Sequence, residues 1–226
     1  MWKGPLQVPL HPTFILVYEC STMVRPSKQL NGFVPALNGY QLNAHTYRTF
    51  RSKAEYQLVH GAWCRLQECG FYWASISGKE AGILLEQEAI GTFLIRDSQD
   101  RRHFFTLSVK TSSGTKNVRI QCDNRSFFLQ TAPEYEWIAP RFDCVVKLAN
   151  HYVNSQKEPK DNSQNFFIYS GGEKIPLELC KPYYKAMSSL QHLCRKTVNG
   201  HTKILGRRHE LPKPINDFLS LYDSPI

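Results

Sequence analysis

The stretch 91–98, reading GTFLIRDS, narrows the folding options of this chain more than any other, because it puts an arginine where a strand should be buried. Residues 92–96 are β-branched, aromatic and aliphatic up to Arg96, which reads as a strand. A buried guanidinium is rare and has to be paired. The polar residues 97–100 that follow read as a loop. Such an arrangement holds a guanidinium at the floor of a pocket rimmed by Ser98, Gln99 and loop N–H groups. A dianionic phosphate is the matching ligand, since arginine grips phosphate bidentately and lysine does not. The other solution for Arg96 is an internal carboxylate partner. Residues 96–125 hold seven Lys/Arg against three Asp, a surplus that suits an anion but also suits a solvated face.

Periodicity around this strand predicts an α+β domain. Residues 52–69 read as a helix with Leu58, Ala62 and Leu66 on one face and Val59 and Trp63 beside them. Ser52 and Glu55 form a capping-box signature, as do Ser77 and Glu80 ahead of a second helix over 77–87. In that second helix Ala81, Leu84 and Leu85 face inward. Residues 104–110 alternate, with Phe105, Leu107 and Val109 on one face and Thr106 and Ser108 on the other. A turn at Ser113-Gly114 returns the chain over 116–121, and 126–130 is a further short strand. Residues 142–153 read as a third helix presenting Val145, Leu148, Ala149 and Tyr152. The order of helix, antiparallel strands and helix implies a central antiparallel sheet flanked by two helices. Residues 154–165 read as a surface loop, 166–169 as the last strand and Gly171-Gly172 as a turn.

The ends read differently. Residues 1–45 carry scattered prolines without a sustained period and are expected to be disordered. Met23 is an alternative start, and 1–22 enters no functional reading. From 188 onward the pattern is helical: Leu190, Leu193, Cys194 and Val198 share one face, and Ile215, Phe218, Leu219 and Tyr222 share another. Pro214 suits the first turn of that last helix. So short a segment has little core of its own, and its apolar stripes need either the preceding domain or a partner. No apolar run reaches the ~20 residues of a membrane-spanning helix, and seven irregularly spaced cysteines without C-x-x-C disfavour disulfide scaffolds and zinc modules. A reducing, cytoplasmic setting is the plain expectation.

Several of these motifs together resemble a Src-homology-2 domain over about 71–181: FYW at 71–73, GTFLIRDS at 91–98, FTLSV at 105–109 and RFDCVVKLANHY at 141–152. The resemblance implies phosphotyrosine recognition, with Arg96 as the essential phosphate ligand. It places Ser98 and Gln99 in the phosphate loop and Arg119 as a second grip on the phosphotyrosine. The C-terminal stretches SLQHLCRKTV at 189–198 and LPKPINDFL at 211–219 resemble the two halves of a SOCS box. That resemblance implies elongin binding through Leu190, Cys194 and Val198, as helix-in-groove contact requires. It implies cullin contact through Leu211, Pro212 and Pro214.

The order of these parts resembles the suppressor-of-cytokine-signalling family. In that family TYRTFR at 46–51 is similar to a kinase inhibitory region, with Tyr47, Arg48, Thr49 and Phe50 as its contact residues and Phe50 as the aromatic anchor. The implied layout is a disordered 1–45, an inhibitory segment at 46–51, an extended helix at 52–69, a Src-homology-2 domain at 70–183 and a SOCS box at 184–226. The implied partners are a tyrosine-phosphorylated cytokine receptor, a Janus-type kinase, elongin B and elongin C, and a cullin ubiquitin-ligase scaffold. A long Pro/Ser-rich insert common in part of the family is represented only by the short segment 154–165.

Two other classes compete. A net charge of +9 with 12% aromatics fits a basic nucleic-acid-binding protein, but zinc spacing, Arg/Gly repeats and ribonucleoprotein motifs are missing. An enzyme would need histidines clustered with a nucleophile or carboxylates, and the eight histidines are not so placed. The expectation is therefore an adaptor with no catalytic residue, no metal and no cofactor.

Overall fold

The computed structural model describes residues 14–18, 50–156, 165–185, 187, 189–201 and 210–220. In chain order it begins with strand β1 (Phe14–Tyr18) and helix α1 (Lys53–Cys69). Ser52 caps α1 by accepting the Glu55 N–H, while the Glu55 carboxylate accepts from Arg51 N rather than from Ser52. The reciprocal box is thus offset by one residue. The helix stops at Gly70, whose left-handed φ of 79° costs a glycine little. Its buried line is Glu55, Val59, Ala62, Leu66 and Cys69. The expected stripe is therefore rotated by about one residue, leaving Leu58 and Trp63 half-buried on its flanks. Glu55 tolerates this rotation because Arg51 lies 3.4 Å from its carboxylate.

Helix α2 (Gly78–Leu85) carries a complete capping box between Ser77 and Glu80. Strands β2 (Thr92–Asp97), β3 (Phe105–Thr111), β4 (Gly114–Cys122) and β5 (Phe127–Leu129) follow, then helix α3 (Val145–Ser155). Ser112 and Ser113 make the β3–β4 turn, because Thr111 already pairs with Gly114. The turn therefore sits one residue earlier than the Ser113-Gly114 dipeptide suggests. Strands β6 (Asn165–Ser170) and β7 (Glu173–Pro176) form a hairpin around Gly171-Gly172, and β8 (Lys181–Pro182) follows. Residues 173–176 and 181–182 were not legible as strands: both are short and contain proline.

The main sheet has the order β5-β4-β3-β2-β8, antiparallel except for the β2–β8 pair. Gly91 admits that last pairing, since a Cβ there would meet Cys180 Sγ at 2.5 Å. The two faces differ in chemistry. Phe93, Ile95, Phe105, Leu107, Val109, Val118 and Ile120 belong to one buried cluster with Val59 and Leu66 of α1 and Leu148 and Tyr152 of α3. On the opposite face, Leu94 packs with Ala81 and Leu85 of α2, and beyond it the sheet turns polar. Strand alternation sends Arg96, Thr106, Ser108, Asn117 and Arg119 to that second face.

The expectation that 1–45 lacks regular structure is corrected at β1. Residues Phe14–Tyr18 pair in parallel with β6, from Phe14↔Asn165 to Tyr18↔Tyr169, in a second sheet of order β1-β6-β7. An isolated apolar run of five residues shows no amphipathic period, and only the open edge of β6 makes it a strand. Helix α4 (Leu190–Gly200), capped by Ser189, and α5 (Lys213–Ser220) complete the described chain. Helix α4 is held against α1 by Arg195 Nη1 to Glu68 Oε2 at 2.6 Å. No helix of the described residues is long and apolar enough to cross a membrane.

Candidate phosphate-binding site

Arg96 ends the apolar run of β2 and is only 3% exposed. Its Nε donates to Ser108 Oγ at 3.0 Å, Nη1 to the Asp97 carbonyl at 3.0 Å and Nη2 to Asn117 Oδ1 at 3.0 Å. Ser108 also donates to Asn117 Oδ1 at 2.8 Å, so three strands fix the plane of the guanidinium. The first turn of α2 closes over it: a Cβ on Gly78 would stand 3.2 Å from Arg96 Nη2. These three contacts are with a hydroxyl, a carbonyl and an amide. Such partners fix the plane and direction of the guanidinium fork.

The loop after β2 is organised by Ser98 and Asp100. Ser98 is 3% exposed, and its Oγ accepts from Asp100 N at 3.1 Å while donating to Asp100 O at 3.2 Å. Gln99, between them, is exposed. Arg119, which shares a row with Arg96 and Thr106 across β4, β3 and β2, sits 3.2 Å from Asp100 Oδ2 and 3.5 Å from Gln130 Oε1. Asp100 is also gripped by Arg102, at 3.1 and 2.8 Å, and lies 3.9 Å from His103. The Arg102 hydrogen bonds, helped by Arg119 and opposed by partial burial, hold the Asp100 carboxyl well below the usual carboxylate range. Strand register puts Arg96 and Arg119 in one row, and Asp100 ties Ser98 to Arg119, which is already partnered by that acid. Sequence reading missed Ser108, Asn117 and Asp100. Polar residues alternating onto the second face of β3 and β4 were the available signal, since Thr106 and Ser108 are buried there beside Arg96.

The other candidate residues lie elsewhere. Tyr47, Arg48 and Thr49 fall outside the described residues. Phe50 is half-buried on the domain itself: its ring stacks on Phe104 at 5.3 Å and meets Tyr56 edge-on at 5.1 Å. In α4 the apolar residues point outward, with Leu190 77% exposed, Leu193 45% exposed, Cys194 exposed and Val198 half-buried. The side of α4 that packs inward is His192, Arg195 and Asn199. Burial, followed by the nearby charges of Arg195 and Lys196, lowers the His192 pKa. Leu211 is half-buried, while Pro212 and Pro214 are exposed at the start of α5.

Residues 71–152 match the SH2 domain family. A protein of Gallus gallus named Suppressor of cytokine signaling 3 is 54% identical over 187 residues, covering 79% of this chain and 90% of that one. The Homo sapiens protein of the same name is 50% identical over 203 residues, with the same shares covered. Suppressor of cytokine signaling 2 of Homo sapiens is 36% identical over 159 residues, covering 70% and 77%. With a central antiparallel sheet, flanking helices and a matching SH2 domain, the chain belongs to the suppressor of cytokine signalling family.

Proposed function

We propose that this chain is a negative regulator of cytokine signalling that binds a tyrosine-phosphorylated receptor through Arg96. The carrying observation is the buried guanidinium of Arg96, fixed by Ser108, Asn117 and the Asp97 carbonyl beneath the first turn of α2. A phosphoryl group carries about −1.5 to −2 charges at pH 7 and offers three acceptor oxygens. Ser98 and the loop to Asp100 supply further donors at the rim. Arg119 completes the grip when the phosphate draws it from Asp100.

Two outputs follow in the same reading. Residues 46–51 inhibit an associated Janus-type kinase, with Tyr47, Arg48, Thr49 and Phe50 as the contact residues. The attachment of Phe50 to Phe104 and Tyr56 supports this, because it fixes where the segment leaves the domain. Residues 184–226 serve as an adaptor segment that recruits elongin B and elongin C through Leu190, Cys194 and Val198, and a cullin scaffold through Leu211, Pro212 and Pro214. The outward apolar face of α4 supports that role, since an amphipathic helix presents such a face to a groove. The chain then contributes proximity to ubiquitin transfer and no chemistry of its own.

Capture from stimulated cell lysate, read with antibodies to receptor, kinase and elongin, tests the three parts together. Arg96→Lys is expected to lose receptor, Phe50→Ala kinase and Leu190→Pro elongin, each sparing the other two. Loss of all three together in any one variant would contradict separate sites.

A further inference from the structure

The strand β1 lies beside β4, the strand that carries Asn117 and Arg119, with Val17 in the apolar cluster on the sheet face opposite Arg96. Its pairing partner β6 ends at Ser170, whose Oγ accepts from Lys116 Nζ at 3.0 Å. Lys116 directly precedes Asn117, the amide that holds Arg96. On its other side Val17 bridges Thr131. Thr131 directly follows Gln130, which contacts Arg119, and Arg119 contacts Asp100 of the phosphate loop. Both walls of the β1 seat therefore join β4, one through Lys116 and the other through Gln130 and Arg119, and the phosphate site lies across that strand on the opposite face of the sheet. Between those walls Val17 is fully buried, in the same cluster as Val118, Phe166, Ile168 and Ile175. The seat has what an extended peptide needs: an open strand edge on β6 and an apolar slot for a side chain.

Resting on the phosphotyrosine reading above, we propose that Phe14–Tyr18 is an internal occupant of the groove that receives the residues flanking a phosphotyrosine, so that β1 must leave before a long phosphopeptide binds fully. The ligand it competes with is a phosphotyrosine peptide whose neighbouring residues are extended and apolar. The competition is favourable for β1 because it is intramolecular. A tethered segment acts at millimolar effective concentration, so even a five-residue ladder and one buried valine compete with a free peptide. Phosphotyrosine alone does not reach the β1 seat and is indifferent to it. A closed state occupied about 90% of the time weakens the peptide's apparent affinity about tenfold.

The test uses the full chain. Calorimetric titrations of wild type, Val17→Ala and Val17→Asp are made with two probes: phosphotyrosine alone, and a phosphotyrosine peptide with apolar extended flanks. Val17→Asp puts a charge into the buried slot, and Val17→Ala only trims it. The proposal expects peptide affinity to rise in the order wild type, Val17→Ala, Val17→Asp, reaching about tenfold, with phosphotyrosine affinity unchanged. Equal or falling peptide affinities across the series, with phosphotyrosine still bound, would overturn the occupant role alone. Failure of every chain to bind phosphotyrosine would bring down the phosphotyrosine reading and this inference with it.

Discussion

Helices α3 and α4 are both eleven residues long and amphipathic, and they meet opposite fates. Helix α3 buries Val145, Val146, Leu148, Ala149, Tyr152 and Val153 against the sheet. Helix α4 buries His192, Arg195 and Asn199 and turns Leu190, Leu193 and Cys194 to solvent. In α3 the apolar face is what holds the domain together. In α4 the polar face does the local docking, through Arg195 to Glu68 and through the Arg195 guanidinium lying 3.8 Å above the Phe218 ring. An apolar stripe thus tells which side of a helix wants covering. What covers it is decided by the neighbours the rest of the chain supplies.

The largest effect expected from this contrast comes from trimming leucines on the two helices. Leu148→Ala should cost about 2–5 kcal/mol of stability in urea denaturation, as removal of a fully buried leucine does. Leu190→Ala should stay within about 0.5 kcal/mol of wild type, because its side chain is exposed in the free chain. A large loss for Leu190→Ala would mean that α4 is packed apolar side inward, reversing the comparison.

A smaller effect is expected from Glu68→Ala. The Glu68 carboxylate is half-exposed, so solvent screens the pair, and its loss should loosen α4 by only about 1 kcal/mol. Amide exchange would locate the change in α4 and leave α3 protected. Equal deprotection of both helices would show that α4 is part of the domain's cooperative core.

The smallest effect concerns pH. The folded-state pKa of His192 is lowered, first by burial and then by Arg195 and Lys196, so folding favours the neutral ring. A histidine depressed in the fold gives its full stabilisation above its unfolded pKa of about 6.5 and loses it as pH falls below that value. Helix α4 should therefore lose exchange protection between pH 7.5 and 5.5, after correction for intrinsic rates, while α3 changes little. Uniform behaviour of the two helices would sink this assignment.

Much of the domain was legible because its signals are local. The Ser77–Glu80 capping box, the alternation around Leu107 and the turn at Gly171-Gly172 each specify their own geometry within a few residues. The rotated stripe of α1 was not legible, because burying Glu55 depends on Arg51 and on where the sheet lies. Strands β1 and β8 were not legible because each exists only through a distant edge, β6 for one and β2 for the other. At the site, Arg96 announced itself as a charge inside an apolar run. Ser108 and Asn117 did not, since only strand register brings them to the same guanidinium.

The central claim is that Arg96 is the phosphate ligand, and titration of a phosphotyrosine peptide against wild type and Arg96→Lys tests it most directly. Lysine keeps the charge but loses the planar fork. With thermal unfolding showing both chains folded, the account predicts affinity about 10- to 100-fold weaker for Arg96→Lys, the scale of lost charge-assisted hydrogen bonds, and no binding of the unphosphorylated peptide to either. Equal affinities of the two chains for the phosphopeptide would contradict it.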